Sequence, residues 1–520
     1  MPAKRHGGAH RHGRDRRAAV IHAPAGRPRF TGEAPSAAVV GGGLAGIAAA
    51  TGLAERGVRV TLYEGERNLG GRLAGWPTRL ADGTTVTMSR GFHAFFRQYY
   101  NLRGLLRRID PGMETLTALP DYPLRHGSGL HDSFARVPRT PPLSALGFVA
   151  LSPTFGVRDL ARMDPRAALP LLDVRVPEVH ERLDGVSAHD FLARIRFPEA
   201  AHHLAFEVFS RSFFADPREL SAAELVLMFH IYFLGSSEGL LFDVPSEPFP
   251  TALWDPLAGY LAGLGVDVRT GTPVRHVRPL PDGRIDVEAE GAGERASRHD
   301  ALVLALDGAG LRRLVDASPG LGDAPWRASI DRLRSAPPFL VSRLWLDRPV
   351  ARDRPGFLGT SGYGPLDNVS VLERWEGEAA RWARRTGGSV LELHAYAVSP
   401  DADRAAVQAE ALRQAHRVYP ETRDARIVDE RHEWRADCPM FPVGGYRDRP
   451  GVRGPDPAVT VAGDMVRTGL PVALMERAVT SGFLAANAHL ERWGVRGQTL
   501  WTVPRTGRSP VLRRLAALGG

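Results

Sequence analysis

The chain is expected to fold as an α/β protein, a parallel nucleotide-binding sheet interleaved with a second, α+β domain. Three observations point there. Residues 37–50 read Ala-Ala-Val-Val-Gly-Gly-Gly-Leu-Ala-Gly-Ile-Ala-Ala-Ala, which sets Gly41, Gly43 and Gly46 on a G-x-G-x-x-G spacing. A second apolar run, 58–63, ends in an acid, Glu64. Near the other end, Val459-Thr-Val-Ala-Gly463-Asp464 is an apolar run closing in Gly-Asp, ahead of a helical pattern that begins at Met475.

Residues 1–36 hold Lys4 and seven arginines against Asp15 and Glu33, are rich in Gly, His and Pro, and lack an apolar period. They are expected to be a disordered basic tail. That tail accounts for most of the net charge of +9. The body has no basic stripe interleaved with aromatics, so no nucleic-acid partner is expected. The tail itself has two readings, contact with anionic lipid or a solvated leader. His6, His10 and His12 are read as solvated, and no metal is expected. Arg16-Arg17 is not followed by the run a twin-arginine signal needs, since His22 and Pro24 interrupt it. No stretch supplies the ~20 apolar residues of a spanning helix. The single cysteine, Cys438, excludes an internal disulfide framework and fits a reducing compartment.

Taken in order, 37–40 is a buried strand. Gly41 permits the tight turn after it, Gly43 lets backbone close on a pyrophosphate, and Gly46 lets the small-residue helix through 53 pack on the sheet. The phosphates then meet free N–H groups and a favourable dipole at the helix N-terminus. The strand at 58–63 delivers Glu64, whose carboxylate suits both ribose hydroxyls of an adenosine. It would repel a 2′-phosphate, which argues against NADP. Asn68-Leu-Gly-Gly-Arg72 follows. Gly70 and Gly71 allow a second close approach, and Arg72 brings a fixed charge to the same pyrophosphate. This run resembles the FAD signature of the amine oxidase and carotenoid desaturase superfamily, and the resemblance makes FAD the expected cofactor.

Runs at 73–80 and 84–89 flank Asp82-Gly83, a hairpin signal. Residues 90–106 open at Gly91 and run into an amphipathic helix. Phe92, Phe95, Phe96, Tyr99 and Tyr100 are either core or the wall of a large apolar site. The Pro-rich stretch 125–180 is either a membrane-facing flap or a core-covering loop. Ser187 reads as a helix cap, and helical patterns follow at 204–214, where Arg211 is a candidate site residue, and at 221–234. A helix at 253–264 ends at Gly265 before a strand at 266–270. Strands are expected at 300–306, 338–347 and 389–398, the last two flanking a weakly structured segment, with a helix at 402–418.

The string Gly91-Phe-His93-Ala-Phe95-Phe96 through Tyr99, Tyr100 and Asn101 is similar to the segment after the FAD hairpin in plant-type phytoene and ζ-carotene desaturases. The resemblance extends over about 37–490 and is closest to the bacterial β-carotene desaturase/methyltransferases, the isorenieratene synthases. It implies a Rossmann-like FAD domain at 37–120, 251–325 and 455–495, a substrate domain facing the membrane at 121–250 and 326–454, and a C-terminal tail at 496–520. Backbone at Gly91 would then pass the isoalloxazine ring, and backbone at Val274 would meet the adenine. Gly463 would approach the ribityl chain, Asp464 would accept its hydroxyls, and the helix N-terminus at Met475 would steady charge on the reduced flavin. His93 is the candidate catalytic group, with a structural bond beside the flavin loop as its other reading. The implied activity is FAD-dependent oxidation of the β-carotene end rings to aromatic rings with migration of one geminal methyl group. Electrons would pass to an acceptor such as quinone or oxygen, at the inner face of the cell membrane. Three rivals stay open: an acyclic carotene desaturase, a flavin amine oxidase, and a redox-silent FAD isomerase or escort protein.

Overall fold

The structure is a computed structural model that describes residues 15–164, 166–198, 201, 213–290, 296–511 and 513–514. The first part of the basic tail with His6, His10 and His12, Arg211 and most of the expected 204–214 helix lie outside the described residues.

Strand Ser36–Val40 is flanked by Arg59–Tyr63 and Ala301–Leu304, and these by Asp267–Arg269 and Val459–Val461, all parallel. Numbered along the chain, the five strands lie in the order 3-2-1-4-5, a doubly wound α/β sheet. Helix Leu44–Ala54 is buried along its whole length, which its run of Ala and Gly allows. It packs on helix Leu474–Arg492 so closely that a Cβ on Gly52 would come within 2.9 Å of the Ala486 Cβ. A three-stranded antiparallel sheet, beginning at Val274–Pro279, fills the crossover before Ala301.

The second domain is built on a seven-stranded sheet with Phe339–Leu346 and Ser389–Ala395 at its heart. The segment between them is more regular than its sequence suggests, with strands Phe357–Ser361 and Asn368–Val371 and helix Gly377–Thr386. The strands are short and rich in Gly, Ser and Thr, and the helix, though amphipathic, buries only Ala379 and Trp382, so the segment has few apolar landmarks. Charged strand Ile427–Arg435 covers the other edge of Phe339–Leu346. Residues 90–106 open as a loop and a short strand, Phe95–Phe96, paired with Phe242–Pro245, and run into helix Tyr100–Leu106. Glu476, buried on the long helix, accepts the Asn101 and Leu102 N–H groups at 2.9 Å each and so caps that helix.

Residues 15–36 are not a disordered tail. Ala19–Ile21 pairs antiparallel with Leu500–Thr502, so the expected C-terminal tail is in part a strand too. Asp15 is buried, paired with Arg508, and accepts the Ser237 N–H at 3.0 Å. Each strand is a triplet whose partner lies at the opposite end of the chain, so neither carries a local signal.

Helix Ala222–Phe229 buries Glu224 between Arg449 at 2.5 Å and Arg477 at 2.8 Å. Burial pushes the Glu224 carboxyl up, but the two guanidiniums more than offset this and hold it well below the usual carboxylate range. The same arginines donate to the carbonyls of Asp464, Met465 and Val472, which fixes the backbone after Gly463. Glu224→Ala would strand two buried cations and is expected to cost ~3–5 kcal/mol, measured by denaturant unfolding. Because the folded-state pKa is depressed, the contribution of Glu224 is present above the unfolded value and lost on acidification.

Candidate functional site

One cavity of about 1060 Å³ runs from the glycine-rich turn into the second domain. Gly41, Gly43, Glu64, Gly70, Gly71, Arg72, His93, Val274, Gly463, Asp464 and Met475 all line it. Two expected residues do not. Gly46 stands behind the turn, where a Cβ would overlap the Gly41 carbonyl. Gly91 lines a small neighbouring cavity of about 30 Å³, and with φ at +90° it lets backbone lie against His394 and Glu392.

The residues at the turn fit a dinucleotide. A Cβ on Gly43 would meet nothing nearer than the Gly71 Cα at 3.9 Å, so the space over the turn is a backbone-walled cradle. Gly43 caps helix Leu44–Ala54 without any side-chain cap, which leaves the helix N-terminal N–H groups to an anion. Glu64 is held by the Gly42 and Glu66 N–H groups at 2.7 and 2.8 Å, and burial raises its pKa. Arg72 donates to Asp464 at 2.7 Å, tying the second glycine pair to the Gly-Asp strand end. Burial would push the Arg72 guanidinium down, and Asp464 beside it more than offsets that. At the start of the long helix Leu474 is held at φ +52°, an unusual value for a branched residue, and Leu474 and Met475 both face the cavity.

His93 lies on the cavity wall with Nδ1 2.9 Å from the Gly91 carbonyl. A carbonyl only accepts, so Nδ1 carries the proton and Nε2 keeps a lone pair. Burial pushes its pKa down to about 4, so the ring is neutral near pH 7. Cys438 also lines the cavity, and burial pushes its thiol up to about 11, which makes it a poor nucleophile.

Away from the nucleotide turn the wall becomes aromatic: Phe92, Phe96, Tyr122, Phe214, Tyr232 and Phe242 are among its residues. Phe92 stacks on Phe357 at 4.3 Å, and the Tyr99 and Tyr232 hydroxyls bond each other at 3.0 Å. Sequence reasoning passed over one polar group here. Glu392, His394 and Tyr396 share one face of a strand and its exit, while Leu391, Leu393 and Ala395 face the core behind. The alternation Leu-Glu-Leu-His-Ala-Tyr over 391–396 is the signal that could have found it.

The parallel sheet, the glycine turn, the acid-tipped second strand and the Gly-Asp strand end define an FAD-dependent oxidoreductase. Residues 44–490 match the flavin-containing amine oxidoreductases, and the chain belongs to that family. It is 82% identical over 518 residues to a carotenoid phi-ring synthase of Streptomyces griseus, covering 100% of both chains. It is 29% identical to a carotenoid phi-ring synthase of Chlorobaculum tepidum, covering 91% of each. Among solved structures, a putrescine oxidase triple mutant redesigned in cofactor binding shares the fold, with a TM-score of 0.65, 17% identity and coverage of 88% of this chain and 99% of that one.

The two glycine positions give opposite expectations. Gly46→Ala should destabilise the fold, because its Cβ meets backbone. Gly43→Ala should fold and melt near wild type yet be isolated with little FAD, read from flavin absorbance per protein.

Proposed function

We propose that the protein oxidises the β-ionone end rings of β-carotene to aromatic rings, with one geminal methyl group migrating to the adjacent ring carbon. The observation that carries this reading is the 82% identity, over the full length of both chains, to a carotenoid phi-ring synthase. The cavity geometry supports it, because one continuous space joins a dinucleotide cradle to a chamber with aromatic walls.

FAD held there would supply the oxidising power, as the hydride acceptor for the two oxidations each ring needs. The chain's own residues do the rest. The turn at 41–46, with Glu64, Arg72 and Asp464, holds the cofactor against the sheet. The aromatic wall orients a long apolar polyene and excludes water, so that positive charge spread along it is not trapped by a nucleophile. His93, neutral and with Nδ1 committed to Gly91, presents no second cation to that charge. The electrons leave to an acceptor of the quinone or oxygen class.

The reading includes a peripheral seat on the inner face of the cell membrane, where carotene dissolves. Helix Leu143–Leu151 turns Leu143, Leu146 and Leu151 outward at 56, 63 and 54% exposure. Among the described residues no helix is long and apolar enough to cross a membrane. Leu146→Glu is therefore expected to reduce co-flotation with liposomes while leaving FAD content unchanged, and unaltered flotation would contradict this seat.

The activity is tested by expressing the chain in a bacterium that accumulates β-carotene. The expected pigment has fewer hydrogens, the same number of carbons and aromatic ring protons by NMR. Unchanged β-carotene, together with conversion of phytoene or ζ-carotene in parallel hosts, would replace this reading with an acyclic desaturase.

A further inference from the structure

We propose that Tyr396 and His394 are the proton acceptor that completes ring aromatisation, with Glu392 as the residue that positions His394. The proposal rests on the carotene reading above and adds to it the group that removes the proton.

The three side chains form one hydrogen-bonded line. The Tyr396 hydroxyl lies 2.7 Å from His394 Nδ1, and His394 Nε2 lies 2.9 Å from Glu392 Oε1. The other oxygen of Glu392 accepts Arg343 at 2.7 and 3.0 Å. Burial pushes the Glu392 carboxyl up, but Arg343 and His394 outweigh it and set the pKa at about 2. A carboxylate only accepts, so His394 Nε2 carries a proton. In the neutral ring Nδ1 is then the acceptor and the Tyr396 hydroxyl donates to it. The Phe92 N–H also points at Nε2, at 3.3 Å, but a protonated Nε2 cannot accept it, and the shorter, charge-assisted contact to Glu392 sets the tautomer. Asn368, directly across the sheet from His394, donates to one lone pair of the Tyr396 hydroxyl at 3.0 Å, and the second lone pair is the one that takes up the proton. A hydroxyl, an imidazole and a buried carboxylate in this order make a base oriented and stabilised from behind.

The place is right for the chemistry. Glu392 is shut away in the protein, while His394, Tyr396 and Asn368 line the aromatic-walled part of the main cavity. Gly91 is what allows the arrangement, since a side chain there would overlap the His394 ring. His93 is a weaker candidate, because its Nδ1 is backed by a neutral carbonyl and not by a carboxylate, and burial lowers its pKa to about 4. Burial raises the Tyr396 phenol, so it stays neutral and gives up its proton only as it takes up another.

Each ring loses four hydrogens, two as hydride to flavin and two as protons, with the flavin reoxidised by its quinone- or oxygen-class acceptor in between. The final proton step balances without another reagent. After the second hydride has left and the methyl group has moved, a ring C–H bond breaks and its electron pair becomes the last ring double bond. The proton passes to the Tyr396 oxygen as the Tyr396 proton passes to His394 Nδ1. Glu392 stabilises the resulting imidazolium, which returns its proton to water when product leaves.

The test uses the FAD-loaded full chain with β-carotene in liposomes and three variants: Tyr396→Phe, which keeps the ring and loses only the hydroxyl, His394→Gln, and the double variant. Flavin content reports whether each has folded. We expect aromatic product to form ~10²-fold or more slowly in each single variant, with the double variant no slower than the slower single, because the two act as a unit. Wild type is expected to slow in deuterated water, and Tyr396→Phe to lose that isotope effect. Either single variant working at the wild-type rate, or losses that multiply in the double variant, would overturn the assignment. Wild type that makes no aromatic product would instead bring down the carotene reading itself, which separates the two failures.

Discussion

The close contact between helices Leu44–Ala54 and Leu474–Arg492 is the constraint on which the rest depends. They lie far apart in the chain, yet a Cβ on Gly482 would overlap the Ala45 carbonyl and one on Gly52 would press on Ala486. Small residues on both faces let the axes approach. That approach sets the glycine turn and the Gly-Asp strand end on one side of the sheet, where Arg72 and Asp464 can reach each other. Helix packing therefore brings the parts of the site together.

Buried ions then hold the pieces that packing brings near. Glu224 with Arg449 and Arg477 joins the second domain to the backbone after Gly463. Arg343 with Glu392 joins the seven-stranded sheet to the hairpin, since Arg343 also donates to the Thr87 carbonyl and to Ser89. Such pairs add little net stability, because desolvation consumes most of their attraction, but breaking one partner is costly. Their effect is on geometry. They fix two walls of one cavity whose lining comes from widely separated stretches of chain.

Much of this was legible in the sequence where the cause is local. The turn at Gly41, the acid at Glu64 and the cap at Ser187 each depend on a few neighbouring residues, and all stand where their spacing put them. The cavity also gathers most of the residues singled out, from Gly43 to Met475. What escaped notice was non-local. Ala19–Ile21 becomes a strand only because Leu500–Thr502 lies beside it. Strands Phe357–Ser361 and Asn368–Val371 gain their regularity from neighbours across the sheet. Glu392, His394 and Tyr396 looked like one more alternating strand, since nothing in the sequence says which face meets a cavity. His93 stands in a conspicuous motif, whereas His394, which lies behind Gly91, stands in an ordinary alternating strand.

The central claim is that one cavity brings a carotene ring up to the flavin. Its most direct test is an anaerobic titration of the FAD-loaded protein with β-carotene, followed in the flavin absorption band. Bleaching of the oxidised flavin as carotene is added is the predicted result. A flavin that stays oxidised, while the polyene spectrum shows that carotene has bound, would contradict the account.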